Sequence, residues 1–453
     1  MALNSVRAIL LDPNDDVAAV LEAVPAGGTI RVTHAASGKP IIDVAAQQKI
    51  PFGHKVAVRD LARDKPIRRY GWPIGIATAE IRRGEHVHSH NMRSALSPAP
   101  RQPSMQTKLR PAQWVRDLVQ GCMEAAGAST QSASALADAI TEAHLRGVET
   151  HGLRRLSPYV ARLRARGVDG TANPQVSAMR ALLHVDGRNG IGHHVASVAA
   201  RATSAAAREF GIGIALVRNS NHFGFAGYYA TLIAAAGQIG IVSSNGQVCV
   251  APEGAKRPVL SNNPLAIAAP LPEPDAFLEL DLATSATSRA NIVEAARLRM
   301  PLPSGWAQDA SGKPTGDPAA ALAGSLLAFG GNRGFALLVA LEALTGVLSG
   351  GAFADEVSSK EAAPNLPENT THTFIAIDLE TAFGRDVYAQ RLDQLVRKLK
   401  ELPMHSGTPD IRYPGERRWR LRRERLRDGI PLNHGDFEAA TRLAKELGVK
   451  TSP

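Results

Sequence analysis

Residues 97–107, SPAPRQPSMQT, separate two parts of this 453-residue chain that differ in their hydrophobic pattern. The stretch is rich in Pro, Ser and Gln and has no hydrophobic period, which is typical of a linker. A chain of this length also exceeds one ordinary domain. The sequence therefore predicts a small domain over residues 1–96, a linker over 97–107 and a large domain over 108–453.

Short apolar runs bounded by turn residues fill the part before the linker. Examples are GGTIRV, KPIIDVA, KVAVRDL and PIGIAT. Runs of this length between Gly, Pro and Asp are typical of β-strands. We therefore predict that residues 1–96 form a small β-rich domain.

The part after the linker alternates helical spacing with β-branched runs. PAQWVRDLVQGCMEAAG and STQSASALADAITEAHLRG have the spacing of helices, with Ser129 or Thr130 as the N-cap of the second. ALLHVDG, IGIALVR and THTFIAIDL read as strands, and Gly211 is predicted to end the helix between the first two. This order predicts a large mixed α/β domain.

Composition excludes several classes of protein. The two cysteines, Cys122 and Cys249, are too few for a disulfide framework or a Cys-rich zinc site. No apolar run reaches the roughly 18 residues that span a bilayer. The opening stretch MALNSVRAILLDPNDD meets acids too early for a secretory signal. We expect a cytoplasmic enzyme with no membrane partner.

The formal net charge of +10 makes nucleic-acid binding a hypothesis to weigh. The densest basic stretch, RRWRLRRERLRDG (417–429), is broken by acids and apolar residues, which favours a solvated helix with an apolar stripe. No helix-turn-helix, zinc-finger or RNP pattern accompanies it. We predict no nucleic-acid partner, and the charge suits anionic substrates and cofactors.

The general nucleotide-binding fingerprints are missing. GIGIAL at 211–216 begins like G-x-G-x-x-G, but Leu216 stands where the third glycine belongs. Both Gly-Lys pairs are followed by Pro, which excludes a P-loop. The absence of both fingerprints disfavours a Rossmann dehydrogenase and a P-loop enzyme.

Two polar segments are candidates for a site that binds a small acid. In GVETHGLRRLSPY (147–159), Thr150 and His151 are predicted at a helix start, with Arg155 and Tyr159 on the same helical face. A base, a guanidinium and a phenol together suit an acid substrate. The alternative is a solvated helix start with paired arginines.

The second segment is VRNSNHFGFAGYY (217–229), directly after a predicted strand. His222 precedes a helix, whose positive end disfavours an imidazolium and leaves a neutral, basic His. Gly224 and Gly227 permit a ligand to approach the backbone closely. The alternative is a buried His that only donates a hydrogen bond.

Two further segments suit a phosphate-bearing ligand. LELDLATSATS (278–288) places Asp281 near a strand end, and AFGGNRGFAL begins a helix with glycines around Arg333. Glycine-rich helix starts are suited to phosphate binding.

GEHVHSHN (84–91) places His86, His88 and His90 at alternate positions, which share one face in a strand. Three imidazoles on one face are potential metal ligands. The alternatives are a surface that completes a site with another chain, or hydrogen bonds within the small domain. We expect no metal in the main reaction and keep these histidines only as metal candidates.

Taken together, segments over about residues 108–450 resemble the non-Rossmann malate/lactate/ureidoglycolate/sulfolactate dehydrogenase family. They include RGVETHGLRRLSPY, SNHFGFAGYY, SNNPLAIAAP, DLATS, GWAQDASGKPTGDP, GGNRGFAL and RYPGERRWR, in the order of the family. The resemblance implies a homodimeric oxidoreductase with a distinctive α/β fold. It would use NAD or NADP to move a hydride to or from C2 of a small 2-hydroxy or 2-oxo acid.

The resemblance also implies roles for individual residues. His222 matches the proton acceptor and His151 the second histidine near the reacting carbon, while Thr150, Arg155 and Tyr159 match substrate-binding positions. The positions that match cofactor contacts are Asn263, Asp281, Ala283, Thr284, Gly331, Arg333, Gly334, Pro414, Gly415 and Glu416.

The chain departs from the family at three places. Ser261-Asn262-Asn263-Pro264 replaces the usual Gly-Thr-Asn-Pro, Arg333 replaces a Lys, and SSNGQVCVAP lacks the Lys that some members carry. These changes leave open a binding subunit whose dehydrogenase half has decayed. The intact His151, Arg155 and His222 favour an enzyme.

The N-terminal part resembles the SAF-type domain of altronate/galactarate dehydratases and the small subunit of sulfolactate sulfo-lyase. The matching motifs are IPFGHKVA, YGWPIGIA and GEHVHSHN. Those enzymes require a large catalytic component, and nothing in this chain resembles it. The resemblance implies a fusion that recruits a large lyase or dehydratase subunit through residues 1–96, with lactate, malate, sulfolactate or a sugar acid as substrate.

Overall fold

The computed structural model describes residues 5–35, 37–69, 72–94, 108–298, 300–359, 363–404 and 411–450. The predicted linker, 97–107, lies outside these ranges. Tertiary packing divides the chain into two compact units. The first unit comprises the residues up to 102 together with 289–304 and 315–322, and the second unit comprises the rest. The sequence did not predict that the two later segments pack with the N-terminal residues.

The N-terminal part of the first unit consists of short strands, as its sequence predicts. Its strands are β1 (Val6–Leu10), β2 (Val17–Val20), β3 (Thr29–His34), β4 (Pro40–Ala45), β5 (Lys55–Ala57), β6 (Pro66–Arg69), β7 (Trp72–Ala77), β8 (His86–Val87) and β9 (Met92–Ser94). They form a six-stranded sheet in the order β4-β3-β1-β2-β5-β8 and a three-stranded sheet in the order β6-β7-β9. Strand β3 shows the alternation that is typical of a half-buried strand: Ile30 and Val32 are buried, and Arg31 between them is exposed.

The prediction that His86, His88 and His90 share one strand is wrong for two of them. Only His86 lies in β8, and His88 and His90 follow in a turn. The buried Asn91 causes the turn, since its side chain accepts a hydrogen bond from the His88 amide (3.0 Å) and donates one to the His86 carbonyl (2.9 Å). A short polar side chain that bonds nearby backbone competes with strand pairing in this way.

The second unit is built on a mixed seven-stranded sheet in the order β11-β12-β13-β19-β14-β15-β16. Only β12 and β13 run parallel to each other as neighbours. The strands of this unit are β10 (Lys108–Arg110), β11 (Gln175–Met179), β12 (Leu182–Asp186), β13 (Ile212–Ser220), β14 (Gln238–Ser244), β15 (Leu265–Pro270), β16 (Phe277–Leu282), β17 (Ala307–Gln308), β18 (Ser325–Leu326), β19 (Thr370–Asp378) and β20 (Ile430–Leu432).

Helices alternate with these strands along the chain, which confirms the predicted mixed α/β class. They are α1 (Ala112–Ala125), α2 (Thr130–Leu145), α3 (Leu156–Arg164), α4 (Gly192–Phe210), α5 (Ala226–Ala234), α6 (Arg289–Arg297), α7 (Pro318–Ala323), α8 (Asn332–Glu342), α9 (Leu379–Phe383), α10 (Arg385–Lys400), α11 (Glu416–Asp428) and α12 (His434–Glu446). A π-helical segment, Ala343–Val347, extends α8. Within the described ranges, none of the helices combines the length and apolar character that a bilayer crossing needs.

Local signals set two of the helix ends. The Ser129 side chain accepts a hydrogen bond from the Ser132 amide (3.2 Å), so Ser129 is the N-cap of α2. Helix α4 ends at Gly211, whose φ of 81° lies in the left-handed region. Glycine adopts this conformation at little cost in free energy because it has no Cβ.

The core of the second unit lies between the central strands and helices α4 and α5. Val195, Ala199, Tyr229 and Phe374 are all buried in one apolar cluster. A Cβ at Gly240 in β14 would lie 2.4 Å from the Ala230 carbonyl oxygen of α5, so glycine permits the close approach of helix and sheet.

The chain segments that form the candidate site leave this sheet at one end of its central strands. Strands β13 and β14 both run antiparallel to β19, so their carboxyl ends meet the start of β19. His372 of β19 joins them, because its two ring nitrogens lie 2.8 Å from the hydroxyls of Ser244 and Ser220. The loop after β13 and the segment before β19 therefore emerge side by side.

Candidate active site

The segment from Glu149 to Arg164 does not form one helix. Two 3₁₀ turns, Glu149–His151 and Leu153–Arg155, are separated by Gly152 with ψ of −152°, and α3 begins only at Leu156. The prediction that His151, Arg155 and Tyr159 share a continuous helical face is therefore wrong.

The buried His144 of α2 explains the break. Its Nε2 accepts a hydrogen bond from the Leu153 amide (2.9 Å). A Cβ at Gly152 would lie 2.4 Å from the same nitrogen, so only glycine fits against this ring. A tertiary contact thus overrides the helical spacing of the segment.

The two predicted histidines and Tyr159 nevertheless come together. The rings of His151 and His222 lie nearly parallel, with their centroids 5.8 Å apart. The Tyr159 hydroxyl is 2.7 Å from Nδ1 of His222, and the Thr150 hydroxyl is 3.2 Å from Nδ1 of His151. The structure therefore places four of the predicted site residues in one group.

Tyr159 controls which atom of His222 can exchange a proton with a ligand. Burial raises the pKa of Tyr159 above its usual range, so the phenol stays protonated at neutral pH. Because the phenol engages Nδ1 of His222, proton exchange with a ligand falls to Nε2.

Arg155 lies beside this group and is only half-buried. Its Nε donates a hydrogen bond to the Thr150 carbonyl (2.9 Å), which orients the guanidinium. Its role in binding a carboxylate stays a prediction.

A buried ion pair fixes the loop that carries His222. Arg162 of α3 pairs with Glu368, and both side chains are about 6% exposed. The other carboxylate oxygen of Glu368 accepts a hydrogen bond from the His222 amide (3.1 Å), while Arg162 donates to the Asn221 side chain (3.2 Å). The pair therefore joins the helix of Tyr159 to the loop of His222.

Two more imidazoles surround this group, and the sequence analysis missed both. His193 meets the Tyr159 ring edge-on at 5.1 Å, and His372 stacks on Phe223 at 4.4 Å. Burial lowers the pKa of each to about 3, so both rings are neutral at physiological pH. The signal available in the sequence was weak, since His193 reads as part of a helix start and His372 as part of a strand.

The predicted cofactor residues fall into two groups, of which the first lies at the two ends of α8. The amide and hydroxyl of Thr284 both donate to the Asn262 carbonyl at 2.9 Å, and the Phe329 amide donates to the Thr284 carbonyl (3.0 Å). Asn263 donates to Glu342 at 2.6 Å, and its own buried side-chain oxygen has no hydrogen-bond partner among the described residues.

The start of α8 fits a phosphate-bearing group. Gly330 and Gly331 both have φ of 63°, with open space where a Cβ would lie, and no side chain caps the helix. Uncapped amides at a helix start bind anions, and the exposed Arg333 adds a positive charge. Glycine is needed at position 334 because of close packing, since a Cβ there would lie 1.7 Å from the Phe329 carbonyl oxygen.

In the second group of predicted cofactor residues, two acidic side chains form ion pairs within the protein. Asp281 pairs with Arg418 (3.1 Å), and Glu416 pairs with Lys400 (2.5 Å). Burial raises the pKa of Asp281, and Arg418 opposes that shift. Cofactor contacts from Asp281, the exposed Ala283, Pro414, Gly415 and Glu416 stay predictions.

Comparison with known proteins establishes the family. Residues 111–439 match the model of the malate/L-lactate dehydrogenase family. The chain belongs to this family. The malate/(S)-sulfolactate dehydrogenase of Methanothermus fervidus is 32% identical over 336 residues, which are 74% of this chain and 97% of that protein. The Delta(1)-pyrroline-2-carboxylate/Delta(1)-piperideine-2-carboxylate reductase of Pseudomonas putida is 33% identical over 344 residues, 75% and 98% of the two chains.

The fold and the N-terminal resemblance are confirmed as well. The structure of sulfolactate dehydrogenase from Methanocaldococcus jannaschii superposes with a TM-score of 0.71 at 30% identity, covering 76% of this chain and 98% of that one. Residues 6–95 match the altronate/galactarate dehydratase SAF domain.

Removing one partner of the buried ion pair should strongly destabilise the second unit. We expect Arg162→Met to lower the free energy of unfolding by about 3–5 kcal/mol, because Glu368 is left as a buried, uncompensated charge. Arg162→Met combined with Glu368→Leu should recover part of that loss. Denaturant unfolding measures both, with the exposed Arg164→Met as the matched control; equal effects of the two single substitutions would contradict this role.

The two buried neutral imidazoles should make the protein sensitive to acid. Their pKa in the folded chain is about 3, below the ordinary imidazole value of 6.5. Their contribution to the free energy of unfolding is therefore complete above about pH 6.5 and is lost as the pH falls towards 3. Denaturant midpoints measured between pH 7 and 4 should fall less steeply in His193→Gln than in the native chain. The exposed His184→Gln should follow the native slope, and a native slope in His193→Gln would refute the expectation.

Proposed function

We propose that this protein is an NAD(P)-dependent oxidoreductase that transfers a hydride between nicotinamide and C2 of a small 2-hydroxy or 2-oxo acid. The observation that carries the proposal is the His222–Tyr159 hydrogen bond of 2.7 Å, with His151 stacked 5.8 Å away. Membership of the malate/L-lactate dehydrogenase family supports the same reaction class.

Hydride loss from C2 requires that the hydroxyl proton leave as well. In the oxidative direction, Nε2 of His222 accepts that proton in the tautomer whose Nδ1–H donates to the Tyr159 hydroxyl oxygen. In the reductive direction, the imidazolium of His222 returns the proton to the oxo oxygen. His151, oriented by the Thr150 hydroxyl, presents a second imidazole to the same reacting centre.

The remaining groups bind and orient the two reactants. Arg155, oriented by the Thr150 carbonyl, pairs with the substrate carboxylate. Bound NAD or NADP accepts or supplies the hydride. The start of α8 and Arg333 would hold its phosphates, with Thr284 close to that helix start, and Asn263 lies at the other end of α8, against Glu342.

Within the proposed range of 2-hydroxy acids, those with a second anionic group are favoured. Relatives named for malate and sulfolactate support an acid with a second anionic group. The net charge of +10 favours the approach of such a dianion. Lactate and sugar acids are the other members of the proposed range.

The N-terminal domain extends this function to a lyase system. Its match to the SAF domain of altronate/galactarate dehydratases supports a fused small component of a hydroxy-acid lyase or dehydratase. We propose that residues 1–96 recruit a separate large catalytic subunit, which would act on the same class of acid.

The activity assay combines the purified full chain with NAD⁺ or NADP⁺ and with malate, sulfolactate, lactate or galactarate, followed at 340 nm. His222→Gln should lower kcat by about 10²–10⁴-fold, because proton transfer is lost. Arg155→Gln should act mainly on KM, and the exposed His184→Gln should leave both constants unchanged.

Δ1-piperideine-2-carboxylate with NADPH tests the reaction of the Pseudomonas relative. Calorimetric titration in which neither NADH nor NADPH binds would instead support the binding subunit with a decayed dehydrogenase half.

We further propose a homodimer. Val339, Val347 and Leu348 on α8 and its π-helical extension are each 46–58% exposed, which is unusual for a run of apolar side chains. Light scattering should give twice the 48.0 kDa chain mass. Val347→Lys should shift the protein towards the monomer, whereas Leu426→Lys, at an exposed position on α11, should not. A native monomer would contradict the proposal.

A further inference from the structure

Asn221 directly precedes His222 and is a buried amide to which the sequence analysis assigned no role. Its Oδ1 accepts hydrogen bonds from Nη2 of Arg162 (3.2 Å) and from the Glu368 amide (3.3 Å). Both partners can only donate, so they fix which side-chain atom of Asn221 is the oxygen. The oxygen therefore faces α3 and the segment before β19.

The amide nitrogen of Asn221 faces a third part of the chain, the loop between β12 and α4. Its Nδ2 donates to Oδ1 of Asn189 and to the Gly190 carbonyl oxygen, both at 2.9 Å. The two N–H groups and the two acceptor positions of this side chain are thus all engaged within the protein. One buried side chain therefore joins three segments that are distant from one another in sequence.

The loop that accepts these two hydrogen bonds has an unusual backbone conformation. Arg188 and Asn189 have φ of 52° and 59°, in the left-handed region that few residues other than glycine adopt. The Arg188 amide donates to Asp186 (2.9 Å), and the Asn189 amide donates to the Asn219 carbonyl (2.8 Å). Such a conformation persists where surrounding contacts fix it, and it is common next to functional sites.

The same loop leads into α4, whose first residues pack against both partners of the Tyr159–His222 hydrogen bond. A Cβ at Gly192 would lie 2.0 Å from the Asn221 carbonyl oxygen and 2.5 Å from the His222 carbonyl oxygen. The next residue, His193, meets the Tyr159 ring edge-on at 5.1 Å. Asn221 therefore holds a helix start that touches the backbone of His222 on one side and the ring of Tyr159 on the other.

These contacts make the Tyr159–His222 hydrogen bond sensitive to Asn221. Tyr159 belongs to α3, which Asn221 contacts through Arg162, and His222 is the residue that follows Asn221. The bond measures 2.7 Å, and a displacement of about 1 Å is enough to break a hydrogen bond of this length. A looser Asn221 would thus release Nδ1 of His222 from Tyr159.

We propose that Asn221 is a positioning residue for proton transfer at His222. It acts by holding the Tyr159 hydroxyl next to Nδ1 of His222, since its own polar atoms are engaged within the protein. The kinetic effect of this role rests on the proposed dehydrogenase function. Its structural effect, on the tautomer of His222, is measurable without any substrate.

The first test removes one hydrogen bond while the backbone conformation is kept. Asn189→Gly deletes an acceptor of Asn221, and glycine adopts a φ of 59° at little cost. We expect kcat to fall about tenfold and KM for the acid to change by less than about twofold. The matched control is Arg180→Gly, at an exposed left-handed position (φ 56°) between β11 and β12, which should leave kcat unchanged.

A second variant affects both donated hydrogen bonds. Asn221→Asp keeps the shape and the acceptor oxygens of this side chain but removes both of its N–H groups, and kcat should fall about 10²-fold. If this variant does not fold, Asn189→Gly decides alone, because it retains the hydrogen bond to Gly190. An unchanged kcat in every folded variant would overturn the proposal.

A double substitution distinguishes positioning from a general loosening of the site. Tyr159→Phe already lacks the hydrogen bond to His222, so adding Asn189→Gly should change kcat by less than about twofold. Additive losses in kcat would show that Asn221 does not act through Tyr159, and would contradict the proposal.

The tautomer of His222 gives a readout that requires no turnover. Nitrogen-15 NMR of histidine-labelled protein, with the resonance assigned by its loss in His222→Gln, should show the proton on Nδ1 in the native chain. Asn189→Gly and Tyr159→Phe should both move part of that population to Nε2, whereas Arg180→Gly should not. If the native chain turns over no acid, the dehydrogenase function fails and the NMR still tests Asn221. A native tautomer in Asn189→Gly would refute the positioning role.

Discussion

The buried pair of Arg162 and Glu368 is the interaction on which the candidate active site depends. Desolvating two charges is costly, and here the cost is offset by further hydrogen bonds to both partners. Arg162 also donates to the carbonyls of Gly167 (3.1 Å) and Leu366 (2.9 Å). The pair thus locks α3, the His222 loop and the approach to β19 into one arrangement. Its loss would remove a direct connection between the helix that carries Tyr159 and the loop that carries His222.

The environment of this site is polar but largely uncharged. His193 and His372 are buried and neutral, and His372 bridges the ends of β13 and β14 through two serine hydroxyls. Neutral hydrogen-bonding walls keep the geometry rigid without adding charge near the reacting proton. In the proposed reaction, Arg155 supplies the charge that pairs with the substrate carboxylate.

The two histidine groups of the chain differ in how they are built. Around His222, each imidazole has a distinct partner: the Tyr159 phenol, the Thr150 hydroxyl, or a pair of serines. The imidazoles of His54, His86, His88 and His90 instead lie against one another. The arrangement around His222 suits directed proton transfer.

Features that depend on neighbouring residues could be predicted from the amino-acid sequence. The alternation of Ile30, Arg31 and Val32, the Ser129 cap and the left-handed Gly211 are local, and the predicted β-rich and mixed α/β parts followed from them. The ordered set of motifs from RGVETHGLRRLSPY to RYPGERRWR was sufficient to predict the family. Tertiary packing, in contrast, makes His144 break the predicted helix at Gly152, places Glu368 against the His222 loop and brings His54 to His86. These contacts join residues far apart in the chain, and no local spacing encodes which distant side chain will fill a given position.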